Sequence, residues 1–160
     1  MAAKPPYVEA LGSRDTFGVL GETRGRLLEI AKQLGTNGLR KTYAPGKWTG
    51  AQIIAHLADC EVAFGYRVRQ IVAEPSLPIQ PFDQDLWAGH YAAFDGLAAA
   101  EAFAAIRAWN LTLFERLTPE ELARAAPHPA RGPETALTEI RIIAGHTLHH
   151  LAQLEKILAG

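Results

Sequence analysis

Four long stretches of this chain carry apolar residues at the spacing of an amphipathic helix, and this periodicity restricts its fold most. They cover about residues 13–34, 49–73, 97–117 and 135–158, and Pro- or Gly-rich segments separate them. Apolar residues that recur every three or four positions lie on one helix face. The alternating β-branched runs typical of strands are missing. The pattern predicts an all-α protein whose four helices bury their apolar faces against one another in a four-helix bundle.

Local signals indicate where these helices begin and end. A Thr-x-x-Gln capping box at 49–52 begins the second helix, and the Gly-Thr-Asn-Gly run at 35–38 is expected to stop the first. Thr-Pro-Glu-Glu at 118–121 begins a short extra helix between the third and fourth. The connection at 74–95 is long for a bundle, and 82–87 within it is expected to form a helical turn. Connections of this length often have a functional role.

Composition narrows the class of protein further. The 160 residues suit one domain spanning 1–160, and 16 basic against 17 acidic residues leave a net charge near −1. A nucleic-acid or membrane partner is therefore not expected. Cys60 is the only cysteine, which excludes an internal disulfide and suits a reducing compartment. Residues 1–11 lack the apolar core of a signal peptide, so we expect a soluble, cytoplasmic protein.

The histidines are unevenly placed along the helical pattern. His146 and His150 are four residues apart on the last predicted helix, so their rings lie one above the other near the edge of its apolar face. His149 points nearly opposite the core and is expected to be exposed or to lie at an oligomer contact, and not to bind metal. His56 lies at the edge of the apolar face of the second helix. These positions allow one histidine from the second helix and two from the fourth to meet.

Such a meeting predicts a three-nitrogen metal site, because bundles commonly build metal sites from facing helices. Spacing alone leaves a second interpretation open, in which the same histidines are hydrogen-bonded residues of the core. His90 and His128 lie in or beside connections and are expected to be solvated. Neither His-Glu-x-x-His nor Glu-x-x-His occurs, which argues against a zincin site and against a ferritin-like di-iron centre.

Several segments, in order along the chain, resemble the DinB-like superfamily. Lys47-Trp48-Thr49 leads into the helix containing 54–61, Phe-Asp-Gln-Asp-Leu-Trp follows at 82–87, and Ala-Gly-His-x-x-His-His-Leu-x-Gln-Leu occupies 144–154. Pro127 and the Arg-Gly-Pro run at 131–133 also fit. Each motif is moderately specific alone. Together they make the chain similar to the DinB_2 subgroup, the YfiT-like proteins, over nearly its whole length.

The resemblance implies an up-down-down-up bundle, often a homodimer, with a metal triad from the second and last helices. The triad corresponds to His56, His146 and His150. Members of the superfamily include thiol-dependent S-transferases, a mycothiol-dependent maleylpyruvate isomerase and proteins described as metal-dependent hydrolases. The resemblance therefore implies a metal-dependent transferase or hydrolase that acts on a small electrophilic molecule.

Three imidazoles leave at least one coordination position open, as catalytic metal sites do. Zn²⁺ or Ni²⁺ suits this donor set. The ion could lower the pKa of bound water toward ~7 for hydrolysis, or hold a low-molecular-weight thiol as its thiolate. The alternative is a bundle that binds metal without turnover, as a stress-response or interaction module.

Four acidic residues are the candidates for supporting chemistry, and none of them is compelling as a general base. Asp59, one turn beyond His56, is expected either to orient a ligand ring or to be a solvated surface acid. Asp83 and Asp85 either fold over the site from the long connection, with Asp83 as a weak catalytic candidate, or cap a turn. Glu61 is the fourth candidate.

Three further side chains near these motifs are expected to pack rather than react. Trp48 and Trp87 are expected to form aromatic walls or core contacts. Cys60, one turn from His56, is expected to be a small buried apolar group and not a ligand.

Overall fold

The computed structural model describes residues 5–160, and four long helices dominate it. Residues 1–4, part of the segment expected to carry no signal peptide, lie outside the described range. The helices are α1 (Val8–Leu11), α2 (Thr16–Leu39), α3 (Gly50–Ala73), α4 (Gln84–Ala88), α5 (Gly96–Phe114), α6 (Pro119–Ala123) and α7 (Ala136–Ala159). The predicted four-helix bundle, with a short helix before the last long one, is confirmed. Within residues 5–160 no helix is both long and apolar enough to cross a membrane.

The long helices connect up-down-down-up. α2 and α3 each pack against α5 and α7, so α2 and α3 lie diagonally across the bundle despite being consecutive. α3 and α5 run in the same direction: Gly96 at the start of α5 lies against Ala51 at the start of α3, and Arg107 farther along α5 pairs with Glu61. A Cβ at Gly96 would come within 2.9 Å of the Ala51 side chain, so glycine allows this close approach.

Most of the helices begin and end where the sequence predicts. Thr49 accepts a hydrogen bond from the backbone of Gln52, whose side chain accepts one from the Thr49 N–H. Thr118 and Glu121 form the same capping box at α6. The glycine run after the first helix acts differently from expectation. Gly35 leaves the helical conformation at φ 58°, and helical turns then resume, so α2 is kinked at Gly35 and not ended there.

A short hairpin precedes α7, which the sequence pattern does not predict. Its strands are β1 (Ala125–His128) and β2 (Gly132–Thr135), paired antiparallel with Pro127 opposite Pro133. Prolines indicate a chain break in most contexts, but the edges of a two-stranded ribbon tolerate a missing N–H. The turn needs Gly132, whose φ of 84° is in the region that favours glycine. The hairpin brings the 128–131 turn beside α3 and α7.

A buried polar layer divides the core of the bundle into two apolar clusters. Arg107 of α5 is fully buried and donates to the Glu61 carboxylate at 2.5 Å and to the Thr147 hydroxyl at 2.9 Å. Asn110 donates to the same glutamate at 3.2 Å. Thr147 lies on α7 next to His146, so this layer fixes α7 against α3 and α5 at the level of the histidines.

Candidate metal centre

Three buried histidines from α3 and α7 converge on one point. His56 projects from α3, whereas His146 and His150 project from successive turns of α7. The Nε2 atoms of His56 and His146 are 3.0 Å apart, and those of His146 and His150 are 3.1 Å apart. Three nitrogens bound to one tetrahedral ion at 2.0–2.1 Å lie about 3.3 Å from one another. Two of the three pairs are therefore close to this spacing, and the ligand atoms of all three histidines lie within 4.8 Å of one another, an arrangement that could hold one divalent ion.

The contacts of the ring nitrogens fit a shared ion better than hydrogen bonds among the rings. His146 Nε2 faces two other Nε2 atoms, but one ring N–H donates to only one of them. The opposite nitrogens of two rings have partners: His150 Nδ1 lies 2.8 Å from Gln153 Oε1, and His56 Nδ1 lies 3.4 Å from the Tyr91 hydroxyl. An Nδ1–H held in this way leaves Nε2 free to bind metal. His146 Nδ1 is buried and has no hydrogen-bond partner within residues 5–160.

Burial keeps all three rings in the form that binds metal. It lowers the pKa of His56 to about 3, with a smaller effect from His150, and the pKa of His150 to about 4. Burial also holds the pKa of His146 well below the ordinary value. Since a metal binds neutral imidazole, the three side chains need to lose no proton at neutral pH.

The Tyr91 hydroxyl lies between the Asp59 carboxylate and the ring of His56, the ring that Asp59 is expected to orient. Asp59 is half-buried, and its carboxylate accepts a hydrogen bond from the Tyr91 hydroxyl, which in turn contacts His56. Burial raises the pKa of Asp59, and the bond from Tyr91 lowers it in part. Any orienting effect of Asp59 on His56 therefore passes through Tyr91. Sequence reasoning missed Tyr91 because it lies in a 3₁₀ turn, Tyr91–Ala93, outside every helical pattern.

Trp48, but not Trp87, packs against the histidines. The Trp48 ring lies 5.0 Å from the His56 ring and is stacked with the His150 ring at 6.5 Å. Trp48 therefore forms one wall of the site, as the sequence predicts. Trp87 instead pairs with Phe82 at 4.6 Å and is partly exposed.

The N-terminal segment forms a second wall that the sequence does not indicate. Tyr7 meets the His146 ring edge-on at 4.8 Å and the His149 ring at 5.4 Å. This contact depends on Gly145, because a Cβ there would clash with the Tyr7 carbonyl oxygen. His149 itself is exposed, in agreement with its predicted position on the helix.

Cys60 is buried beside the triad. Its Sγ lies 3.6 Å from His56 Nε2 and 3.8 Å from His56 Nδ1. Burial and the neighbouring charges of Glu61 and Asp59 raise the pKa of this thiol. The neutral thiol is thus favoured here, and that form packs as a small apolar group.

Two cavities reach the histidines. The first, of about 360 Å³, is lined by His149 and His150 together with Trp48 and Asp85. The second, of about 240 Å³, opens onto His56 and His146. A bound ion would therefore be accessible to small molecules from both sides.

The remaining candidate residues lie in different environments. Asp83 accepts hydrogen bonds from two backbone N–H groups at the start of α4 and lines neither cavity beside the triad. Glu61 is buried in the Arg107 layer, with both carboxylate oxygens hydrogen-bonded. His90 is exposed, as expected. The expectation for His128 is wrong, because the unpredicted hairpin buries it.

A second cluster of ionisable groups lies two helical turns from the triad. Glu139 of α7 is fully buried between Arg67 of α3, at 3.4 Å, and Arg131 of the hairpin, at 3.9 Å. Arg131 also pairs with Glu134 at 2.7 Å. Burial, with a hydrogen bond shared with Glu134, raises the pKa of Glu139 to about 8. Glu139 therefore holds a proton at neutral pH.

This raised pKa predicts a pH-dependent difference between the wild-type protein and Glu139→Gln. The folded protein keeps a proton that the unfolded chain releases above about pH 4.3, so Glu139 lowers the free energy of unfolding as pH rises from about 5 to 8. Glutamine is neutral throughout. We therefore expect the stability of the variant relative to the wild type to rise by on the order of 4 kcal/mol between pH 5 and pH 8, at about 1.4 kcal/mol per pH unit.

Urea unfolding of the metal-free proteins at both pH values measures this difference. The exposed Glu115→Gln serves as the matched control and should follow the wild type at each pH. If the free energies of unfolding of Glu139→Gln and the wild type differ by the same amount at pH 5 and at pH 8, Glu139 is ionised in the folded protein.

Comparison with known proteins identifies the family. The sequence profile of the DinB superfamily matches residues 20–154, and the chain belongs to this superfamily. One Oceanobacillus iheyensis protein, named a "putative metal-dependent hydrolase", is 28% identical over 138 residues, which cover 84% of this chain and 79% of the relative. A second protein of that organism with the same description is 30% identical over 122 residues, or 74% of this chain and 70% of the relative.

Two solved structures share the fold. YfiT from Bacillus subtilis, described as "a probable metal-dependent hydrolase with an unusual four-helix bundle topology", matches with a TM-score of 0.81 and 22% identity over 89% of this chain and 83% of YfiT. The mycothiol-dependent maleylpyruvate isomerase matches with a TM-score of 0.72 and 10% identity over 87% of this chain and 59% of the isomerase. At these identities the likeness concerns the fold.

Proposed function

We propose that this protein is a divalent-metal enzyme that acts on small electrophilic molecules, by hydrolysis or by transfer of a low-molecular-weight thiol. The observation that carries the proposal is the convergence of three neutral Nε2 atoms, from His56, His146 and His150, at a point that two cavities reach. The names of the relatives support metal dependence.

The donor set supports a catalytic rather than a structural ion. Structural zinc sites are closed by four protein ligands, whereas catalytic sites use three and keep a position for water or substrate. When bound, the ion would supply Lewis-acid activation of a water or a thiol. Both zinc and nickel suit three imidazoles.

The surrounding residues orient the three rings and limit access to them. Gln153 and Tyr91 hold the outer nitrogens of His150 and His56, which directs both Nε2 atoms inward. Trp48 and Tyr7 pack against the rings and cover part of them. Asp85 is the carboxylate that lines a cavity beside the triad within residues 5–160, so it is our candidate for accepting a proton there.

Hydrolysis and thiol transfer have different support. The hydrolase names of the sequence relatives favour hydrolysis. The fold shared with a mycothiol-dependent isomerase favours use of a thiol. The scarcity of acid–base groups beside the triad favours thiol transfer as well, because a thiolate attacks an electrophile without a general base.

The same scarcity is the specific observation in favour of a second candidate function. A bundle that binds metal without turnover needs neither a base nor an open coordination position. In that case the protein would act as a stress-response or interaction module. A homodimer stays a prediction under either function.

A paired activity screen tests the proposal. Protein loaded with zinc or nickel is assayed for conjugation of electrophiles to mycothiol, bacillithiol and glutathione, and for cleavage of generic ester and amide substrates. We expect turnover in one of these assays that is lost in His146→Ala and kept in His90→Ala, a control at an exposed histidine that lines neither cavity beside the triad. If the metal-loaded protein shows no turnover in any of these assays, the result would favour the binding module.

A further inference from the structure

The smaller cavity beside the triad has a wall of positive charge and hydrogen-bond donors. It is lined by His56 and His146, and its polar wall also includes Arg67, His128 and Arg131. No carboxylate lines it within residues 5–160. A cavity of this kind differs from the first one, where Asp85 is present.

Arg67 is held rigidly in this wall. It follows His56 by eleven residues, which is three helical turns plus about 20°, so both side chains lie on one face of α3. Its guanidinium donates to the Gln80 carbonyl oxygen from Nε at 3.2 Å and from Nη2 at 3.0 Å. The rings of Phe64 and Phe82 lie 4.8 Å and 5.5 Å from its central carbon. These contacts fix the charge while leaving N–H groups on both Nη atoms.

The hairpin supplies the other two donors. His128 Nδ1 accepts a hydrogen bond from the Ala130 N–H at 3.2 Å, so the hydrogen of the neutral ring is on Nε2. Arg131 binds the Glu134 carboxylate through Nε at 2.7 Å and Nη2 at 2.8 Å. No hydrogen bond from its Nη1 is present within residues 5–160. His128 and Arg131 thus keep donors available to the cavity.

The buried carboxylates behind this wall do not cancel its charge. Glu139 lies between the two guanidiniums and holds a proton at neutral pH, as its raised pKa indicates. Glu134 therefore provides one negative charge against the two positive charges of Arg67 and Arg131. The cluster keeps a net positive charge in a partly buried setting, where an unpaired charge favours an anionic partner.

We propose that this cavity binds the carboxylate or phosphate group of a small organic molecule whose opposite, reactive end reaches the three histidines. The inference rests on the proposed function and names its substrate class. The cavity of about 240 Å³ has room for about eight water molecules, hence for a molecule of similar size. Seven residues of α7 separate Glu139 from His146, which places the two ends roughly 10 Å apart.

A matched pair of thiols tests the proposal on the cobalt-substituted protein. We use 6-mercaptohexanoate and 6-mercaptohexan-1-ol, which have the same chain length, and follow the sulfur-to-cobalt charge-transfer absorption. The carboxylated thiol is expected to bind about tenfold more tightly, because hydrogen bonds to charged groups are worth at least this much. Equal affinity of the two thiols would count against an anion site that serves a thiol.

Substitutions locate the source of any preference. Arg131→Gln is expected to reduce it to within about twofold, whereas Arg116→Gln, at an exposed arginine, keeps it. Both variants should bind 6-mercaptohexan-1-ol as the wild type does, which shows that the metal centre is intact. His128→Leu, expected to reduce the preference about threefold, replaces Arg131→Gln if the latter does not fold.

A metal-free experiment separates this proposal from the proposed function. Adipate is titrated into the metal-free protein while the ring signals of His128 are followed by NMR, with saturable shifts expected in the wild type and lost in Arg131→Gln. A protein that binds adipate but no cobalt keeps the anion site and contradicts the metal function. If the protein binds adipate but does not prefer the carboxylated thiol, the anionic group belongs to the electrophilic substrate and not to the thiol. Absence of both adipate binding and thiol preference overturns the proposal.

Discussion

Replacing Arg107 by methionine is expected to lower the free energy of unfolding by about 3 to 5 kcal/mol. Arg107 is fully buried, and so is its partner Glu61. Methionine fills much of the same space but leaves the Glu61 carboxylate without its cation inside the bundle. The Thr147 hydroxyl loses its donor as well. An uncompensated buried charge is among the most destabilising single changes in a protein.

Urea unfolding of the metal-free proteins, followed by circular dichroism, measures this loss. The double variant Arg107→Met/Glu61→Leu removes both charges and should recover most of the stability, since apolar replacement of a buried pair is often neutral. Arg116→Met, at an exposed arginine close to the end of α5, should change stability by less than about 0.5 kcal/mol. A loss below about 1 kcal/mol for Arg107→Met would mean that the polar layer contributes little to the fold.

His146→Ala is expected to weaken zinc binding by at least about 100-fold. Mutating a residue that only hydrogen-bonds to a metal ligand typically lowers metal affinity about 10- to 100-fold. His146 lies at the centre of the triad, so its loss should have at least the larger effect. Its Nε2 is within 3.1 Å of the Nε2 atoms of both His56 and His150. Two remaining imidazoles would hold the ion with water in place of the third.

Competition with a chromophoric chelator measures these affinities. His149→Ala is the matched control, because it removes a neighbouring imidazole of α7 that is exposed and outside the converging group. It should bind zinc within about twofold of the wild type. Equal weakening in both variants would indicate a general effect on α7, and no weakening in His146→Ala would exclude His146 as a ligand.

The sequence predicts the bundle and the meeting of the three histidines for one physical reason. Helical periodicity assigns each residue to a face, and apolar faces must meet in a core. His56, His146 and His150 lie at the edges of such faces, so their convergence follows once α3 and α7 are neighbours. The exposed position of His149 follows from the same geometry.

The parts that sequence reasoning missed depend on contacts between distant segments. Tyr91 reaches His56 from an irregular connection, and Tyr7 reaches His146 from the N-terminal segment, where no periodicity indicates direction. The burial of His128 depends on a hairpin whose prolines hide its strands. The one local signal for the Tyr7 contact is Gly145. A glycine inside a helix can mark a place where another segment of backbone comes very close, and here that segment contains Tyr7.

X-ray absorption at the zinc edge of the stoichiometrically loaded protein tests whether three histidines and a solvent molecule bind the ion. A three-histidine catalytic centre predicts about one zinc per chain, with three imidazole nitrogens at 2.0–2.1 Å and one light atom from solvent. The contradicting result is a sulfur neighbour near 2.3 Å. It would make Cys60, whose Sγ lies 3.6 Å from His56 Nε2, a fourth ligand and close the position that the proposed chemistry needs. A protein that retains no zinc would contradict the three-histidine metal centre altogether.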